Sequence, residues 1–348
     1  MTSSIRVGII GAGANTTSKH IPGLQAIDGV EIVSICNRSR ESSERVAKQF
    51  EIPTIYEDWH KLIEANDTDA IVIGTWPYMH KPMTLAALAA DKHVMCEARM
   101  AKNAQEAQAM FEASLAKPHL TAQIVPSPFS LRVDQTIQRL ITEGYLGDLL
   151  VVEIRALSGA FLDRSGDMHW RNDFDLSGFN IMSMGIWYEA ALRWVGEATQ
   201  VSAMGKTFVK MRKDRQSGLL RPVRIPDHIN VLADLACGAQ LQLTISSVTG
   251  LTKANEAWLF GSDGTLKFAD NTLFGGQRNS DDLQEIQISS EEVGAWRVEE
   301  EFINSIRGIE SITHTNFGTG VKYMEFTEAV TRSMQSGRVI TLPLGSHS

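Results

Sequence analysis

Val7-Gly8-Ile9-Ile10-Gly11-Ala12-Gly13 decides the fold. A short β-branched run, Ile5–Ile10, leads straight into a glycine-rich turn. Two glycines one residue apart let the backbone turn tightly and approach a pyrophosphate. The amide groups that open the following helix would hold its charge. The third glycine of the full G-x-G-x-x-G pattern is missing, and Thr16 stands in its place. A turn of this kind can also be purely structural, so its context carries the dinucleotide reading. It follows an apolar run, opens a helical pattern and precedes a second apolar run ending near residue 36. Gly11, Ala12, Gly13, Asn15 and Thr16 are the candidate contacts here.

Outward from this turn, apolar runs recur at 5–10, 30–36, 69–75, 93–97 and 120–125. They lack polar alternation, which suits strands buried on both faces of a parallel sheet. Between them, residues 39–50, 57–65, 81–90 and 103–117 carry apolar side chains at three- and four-residue spacing, the mark of amphipathic helices. Strand and helix in alternation predict an α/β, doubly wound Rossmann domain. The end of its second strand separates two cofactors. A carboxylate there would bind the ribose 2′-hydroxyl of NAD, whereas an arginine suits the 2′-phosphate of NADP. The sequence reads Asn37-Arg38-Ser39-Arg40. Asn37, Arg38 and Ser39 are therefore candidate contacts, and the reading leans to NADP over NAD. The alternative is that Arg38 and Arg40 are ordinary solvated residues at a helix start. Thr75, Trp76, His80 and Glu97, after the fourth and fifth runs, complete the candidate cofactor set.

Pro126-Ser127-Pro128 breaks the rhythm. It divides the chain into a dinucleotide-binding domain, 1–125, and a substrate-binding and oligomerisation domain, 126–348, whose C-terminal tail can return to the first. Beyond it, 131–143 and 181–195 read as helices, and 149–157 alternates like a half-buried strand. Residues 158–178 form a long irregular stretch. Runs at 201–211, 228–237, 240–249, 256–261 and 265–268 read as strands joined by short turns, hence a large, open, mostly antiparallel sheet. Cys237-Gly238-Ala239-Gln240 and Gly261-Ser262-Asp263-Gly264 read as hairpin turns. Helices near 298–308 and 318–336 close the chain.

Composition bounds the function class. The 348 residues suggest about two domains. They are 43% hydrophobic and 21% charged, enough apolar material for a core and against disorder. A net charge of −8 argues against nucleic acid held by bulk electrostatics and against a polybasic membrane-surface protein. Cys36, Cys96 and Cys237 are too few and too scattered for a disulfide framework or a zinc cluster, so they read as buried free thiols and no metal is expected. The N-terminal stretch lacks the pattern of a secretory signal, and no apolar run has membrane-spanning length. A cytoplasmic, reducing environment is the expectation.

With these residues quoted, the chain resembles the Gfo/Idh/MocA family of nicotinamide-dependent oxidoreductases. The resemblance runs almost end to end. It rests on VGIIGAGANTTSKHIPGLQAIDGVEIVSICNRS, YEDWHKLIEANDTDAIVIGTWPYMHKPMTLAALAADKHVMCEA, GSDGTLKF, and the closing EFINSIRG and GVKYMEFTEAVTRSMQSGRVI. It implies a Rossmann domain followed by an α/β domain with a large open sheet, often used to pair subunits, so a homodimer or homotetramer. It also implies oxidation or reduction of a hydroxyl on a sugar, cyclitol or related polyol.

The departures from that resemblance concern proton handling. Members usually carry Glu-Lys-Pro after the fifth strand; here the segment is Glu97-Ala98-Arg99. They usually place Asp and His four residues apart on a helix facing the nicotinamide; here these are Ser183 and Trp187. Of the usual Asn-His-x-His, Pro77-Tyr78-Met79-His80 keeps only the second histidine. Moving a hydroxyl proton needs a base. The candidates for that role are Tyr188, His169 in the irregular loop and, less apt as a base, Glu189. Arg99 replaces the lysine as a charge partner and anchor, being too basic to deprotonate. His169 precedes Trp170-Arg171, a pair often found there in the family.

Arg99, Arg155, Arg164 and Arg171 suggest an acidic substrate such as a sugar acid, because guanidinium forks bind carboxylates. Trp76, Trp170, Trp187 and Tyr188 are candidates to stack on a sugar ring. Arg99, Arg155, Arg171, Ser183 and Trp187 form the candidate substrate set. Three functions follow: an oxidoreductase with a rewired acid/base set, an enzyme that retains its nicotinamide for elimination, hydrolysis or epimerisation, and a non-catalytic NADP(H)-binding sensor.

Overall fold

The computed structural model describes residues 4–345. The chain divides into two compact units. The first comprises the chain up to Pro126 together with Arg297–Val321, and the second Ser127–Trp296 together with the residues from Lys322 on.

The first unit is built on a six-stranded sheet of β1 (Ile5–Ile10), β2 (Val30–Cys36), β3 (Thr54–Ile55), β4 (Ala70–Ile73), β5 (His93–Cys96) and β6 (Ala122–Ile124). Their order is β3-β2-β1-β4-β5-β6, with every pairing parallel. The strands are rich in Val and Ile, and β4 is buried throughout, as a sheet covered on both faces requires. The intervening helices are α1 (Ile21–Gln25), α2 (Arg40–Phe50), α3 (Trp59–Glu64), α4 (Pro77–Ala89) and α5 (Ala104–Leu115). Side chains of Ser39, Asp58 and Asn103 cap α2, α3 and α5 by accepting from the first-turn amides of Ser42, His60 and Glu106. The strand order reverses between β1 and β4, and ligands bind at such a switch point. Register makes the strand ends level there: Ile10 lies opposite both Cys36 and Ile73, and Ile73 opposite Cys96. Gly11, Asn37, Gly74 and Glu97 therefore leave the sheet side by side.

The second unit contains α6 (Asp134–Thr142), α7 (Phe174–Ser177), α8 (Met184–Val195) and a nine-stranded sheet. Its strands are β7 (Leu149–Ser158), β8 (Ala198–Lys206), β11 (His228–Leu235), β12 (Gln240–Ser246), β13 (Lys253–Gly261), β14 (Gly264–Ala269), β15 (Thr272–Gln277), β16 (Gln284–Glu285) and β17 (Ile340–Thr341). The order is β16-β15-β14-β13-β7-β12-β11-β8-β17. Among the described strands of this sheet, only β7 and β12 pair in parallel. A separate hairpin pairs β9 (Met211–Lys213) with β10 (Leu220–Pro222). Along β7, Val152, Ile154 and Ala156 are buried on one face, while Val151, Glu153 and Arg155 lie on the more open one.

The two expected hairpin turns occur, joining β11 to β12 and β13 to β14. The single strand expected over 201–211 is in fact two pieces. The Asp227 carboxylate accepts from the amides of Phe208 (2.7 Å) and Val209 (3.2 Å) and draws that backbone off the ladder. Cys36 and Cys96 are buried thiols, but Cys237 is exposed, because the β11–β12 turn carries it out of the core.

Candidate functional site

The glycine-rich turn forms because its glycines are required. Gly11 has φ +85°, and a Cβ there would lie 2.6 Å from Thr75 Cγ2 and 2.8 Å from Thr75 N. Gly74 makes room for the residue that replaces the third glycine: a Cβ on it would lie 2.2 Å from Thr16 Oγ1. Thr16 is 1% exposed and donates from Oγ1 to Gly11 O at 3.3 Å. This corrects its assignment as a cofactor contact, since it packs beneath the turn. After the turn the helix opens with a π turn, Thr16–His20, and continues as α1.

A cavity of about 270 Å³ opens beside the turn. Gly11, Ala12, Gly13, Asn37, Arg38, Ser39, Ser42, Gly74, Thr75, Trp76 and Tyr78 line it, with no carboxylate among them. Asn37 fastens its two sides. Its Oδ1 accepts from Ala12 N at 2.6 Å, its Nδ2 donates to Ser42 Oγ at 3.2 Å, and its own amide donates to Ser43 Oγ at 2.9 Å. The Ala12 amide is thus committed to Asn37, and Ala12 supplies wall rather than a phosphate donor. Arg38 lies over Trp76, 5.7 Å from the ring centroid. Arg40 turns away to Glu44 (2.8 Å) and Glu57 (2.5 Å). Ser42 and Tyr78 escaped the sequence reading. Ser42 had a signal, since it lies one helical turn after Ser39, whereas Tyr78 had none that distinguished it from packing.

The chemistry of this cradle fits a dinucleotide. It offers close backbone approach, a concave wall, a cation held over an aromatic ring and the hydroxyls of Ser39 and Ser42 beside it, without a buried acid to repel phosphate.

Two further expected contacts lie behind the cradle. His80 is fully buried, with Nδ1 2.9 Å from Arg99 O and Nε2 3.0 Å from Thr75 O. Burial lowers its pKa. It ties the chain after β4 to the chain after β5 and does not line the cavity, which corrects its assignment as a contact. Glu97 meets Asn15 and His20 instead of lining the cavity. Burial alone would raise its pKa, but the bond to His20, with Asn15 and the Ala98 amide, holds it below the usual carboxylate range.

Comparison with known proteins now becomes decisive. The family model for the NAD-binding Rossmann fold of the GFO/IDH/MocA oxidoreductases matches residues 5–123, and the model of that family's C-terminal domain matches 135–267. The chain belongs to the GFO/IDH/MocA oxidoreductase family. Inositol 2-dehydrogenase of Pseudomonas savastanoi pv. phaseolicola is 24% identical over 265 residues, 73% of this chain and 75% of that protein. Glucose-fructose oxidoreductase domain-containing protein 1 of Mus musculus is 26% identical over 279 residues, covering 79% and 70%. A levoglucosan dehydrogenase in complex with NADH and L-sorbose superposes with a TM-score of 0.85 at 19% identity, over 98% of this chain and 99% of that one. The match to the solved structure shows the shared fold.

Several residues expected at the substrate or in proton transfer are buried in packing contacts. Trp187 is fully buried in the second unit, against Phe129 (5.3 Å between centroids) and Phe268 (6.3 Å), and its Nε1 donates to Asn255 Oδ1 at 3.2 Å. That corrects its assignment as a substrate contact. Tyr188 is 1% exposed, stacked 3.6 Å from Phe326, and its hydroxyl accepts from Ala198 N at 2.8 Å. Burial pushes its phenol further above the ordinary value, so the acid/base role expected of it is corrected to a structural one. Glu189 is 2% exposed, not a surface carboxylate; it accepts from Ser127 N and pairs with Arg193 at 2.8 Å. Ser183 stands at the N-cap of α8 without a side-chain cap bond. Arg155 lies on the open face of β7, 3.5 Å from Glu256. Strand alternation puts it on the face opposite the buried Ile154.

His169, Trp170 and Arg171 stay together on the irregular loop. The Arg171 guanidinium lies 4.4 Å from the Trp170 ring centroid, and the His169 ring lies 5.7 Å from that of Trp170. His169 Nδ1 accepts from the Arg171 amide at 3.3 Å. Partial burial and the neighbouring Arg171 charge hold its pKa below the ordinary value, which favours the neutral ring. Arg99 is 3% exposed. Arg164 is exposed.

Proposed function

We propose that this protein is an NADP-preferring oxidoreductase that acts on a hydroxyl or carbonyl of a sugar, polyol or sugar acid with a non-standard acid/base set. One observation carries the reading: the acid-free cradle in which Arg38 lies over Trp76 beside Ser39 and Ser42. Gly11 and Gly13 admit the pyrophosphate closely, Asn37 holds the turn shut, and Arg38 with the two serines takes the 2′-phosphate. A bound nicotinamide supplies the hydride chemistry. The chain must move the proton. His169 is the group proposed to handle it, as the base that takes the hydroxyl proton, because burial and the Arg171 charge lower its pKa and favour the neutral ring and because it sits beside Arg171, proposed to hold an acidic substrate. Arg99 is proposed as a second anion anchor. Self-association through the open sheet face, where Trp258 stacks on Phe260 at 5.7 Å, belongs to the same reading, as does a cytoplasmic setting. No helix among the described residues is long and apolar enough to cross a membrane.

The burial of Trp187, Tyr188 and Glu189 along α8 favours a second reading, a non-catalytic NADP(H)-binding sensor. An enzyme that retains its nicotinamide for elimination, hydrolysis or epimerisation stands between the two. Purified protein, a panel of polyols and sugar acids, and both cofactors in both redox states separate them. Absorbance change at 340 nm supports the oxidoreductase. A silent panel with every compound unconverted supports the sensor. Conversion without net absorbance change supports the retained-cofactor enzyme.

A further inference from the structure

The first unit buries a charged trio that the reading above does not use. His20 is fully buried, and its ring stands between two carboxylates. Nδ1 is 2.5 Å from Glu299 Oε1, and Nε2 is 3.0 Å from Glu97 Oε1. A neutral imidazole has one N–H and would turn a lone pair toward one of the two carboxylates; only an imidazolium donates to both. Burial alone would lower the His20 pKa, but Glu299 and Glu97 raise it to about 9.

The trio joins three distant parts of the sequence. His20 ends the π turn that follows the glycine-rich turn, Glu97 follows β5, and Glu299 lies on the helix Val298–Ile306. Gly23 permits the approach, since a Cβ there would lie 2.9 Å from Glu299 Cγ and 3.0 Å from its Oε2. On the other side, Glu97 Oε1 also accepts from Asn15 Nδ2, and its Oε2 from Ala98 N at 3.0 Å. The other charged groups on these elements are directed elsewhere or exposed. Lys19 is exposed, Glu300 pairs with Arg297, Glu301 accepts from Gln123 and Thr313, and Arg99 follows Glu97 by two residues.

We propose that His20, clamped between Glu97 and Glu299, is a positioning residue for dinucleotide binding, which fixes Glu97 and with it Asn15, two residues past Gly13, whose Nδ2 lies 3.3 Å from His20 Nε2. This rests on the dinucleotide reading of the cradle. Loss of the His20 proton frees one carboxylate in a dry site, so the clamp holds below pH 6.5 and weakens as pH rises through about 9.

The test is a fluorescence titration of the full chain with NADPH and NADH from pH 6.5 to 9.5. Wild-type binding should weaken toward pH 9. Glu299→Gln, which changes no residue lining the cavity, should weaken binding by about tenfold at pH 7.5 and move the fall to lower pH. His20→Gln should bind weakly with no such pH dependence. Unchanged affinity and an unchanged pH profile in Glu299→Gln, whatever its thermal stability, would overturn the proposal and leave the trio a purely structural ion cluster. Should His20→Gln fail to fold, Glu299→Gln still decides. A wild-type protein that binds neither nucleotide at any pH would refute the dinucleotide reading itself, and this inference with it.

Discussion

Replacing Arg38 with alanine should convert a cofactor preference into a near-indifference. The side chain is exposed at the cavity rim and held over Trp76 at 5.7 Å, so its guanidinium is pre-oriented but not dry. A hydrogen bond to a charged group contributes about 1.5–3 kcal/mol, and exposure places this one at the lower end. About 1.5 kcal/mol corresponds to roughly tenfold in affinity. NADPH binding, followed by nucleotide fluorescence or calorimetry at fixed salt, should weaken about tenfold. NADH, which lacks the 2′-phosphate, should change by less than about twofold. Arg40→Ala is the internal control, because that guanidinium is already held by Glu44 and Glu57 and should leave both affinities alone. Equal losses for the two cofactors in Arg38→Ala would refute the 2′-phosphate assignment. So would a larger effect from Arg40 than from Arg38.

Gly74→Ala puts a Cβ 2.2 Å from Thr16 Oγ1 and 2.3 Å from Gly11 O, so it should abolish binding of both nucleotides and lower the melting temperature; unchanged titrations would show that the turn has room to yield. Tyr188→Phe removes one buried acceptor from the Ala198 amide and should cost about 1–2 kcal/mol in denaturant unfolding while leaving any turnover intact; a large fall in kcat at unchanged stability would restore its catalytic role. His169→Ala should lower kcat and remove an acid limb from the pH–rate profile, a limb lying below pH 6.5 because the His169 pKa is depressed; a profile that keeps this limb would place the base elsewhere.

The cradle was legible because its determinants are local. The apolar runs give the strands, their ends give Gly11, Asn37, Arg38, Ser39, Thr75 and Trp76, and all of these line the cavity. Thr16 was misplaced because the motif describes glycine positions by role, and the third glycine serves close helix–strand packing. In this chain that packing is solved from the opposite side, by Gly74. The face of Arg155 was legible: Val152, Ile154 and Ala156 are in phase, so period-two alternation sends Arg155 to the other face. Trp187, Tyr188 and Glu189 could not be sorted from periodicity, because α8 is buried at all three consecutive positions and has no polar stripe there to mark its outside. The His20–Glu299 contact spans 279 residues and depends on how a late segment returns to the first unit, which no local pattern encodes.

The choice between enzyme and sensor turns on what keeps the irregular loop in order. Trp187 is tied to Asn255 on β13, and the titratable Tyr188 and Glu189 beside it are buried in packing contacts, so this stretch of α8 is scaffold. A sensor would be content with that outcome. Yet the loop at 158–178 is held by contacts that only a specific arrangement satisfies. Arg212 of β9 donates to Gly166 O (2.9 Å) and Asp163 O (3.0 Å), Arg221 of β10 pairs with Asp173 (2.5 Å) and Asp175 (2.9 Å), and the Met168 amide donates to Lys213 O at 2.8 Å. Ordering each backbone residue costs about 1–2 kcal/mol, and exposed ion pairs return little of it. Long ordered loops in compact domains are commonly functional. What it presents is an imidazole, an indole and a guanidinium in sequence, and that set can handle a proton, a ring and an anion. The β9–β10 hairpin therefore favours the oxidoreductase reading: Arg212 and Arg221 hold the loop that carries the proposed chemistry in place.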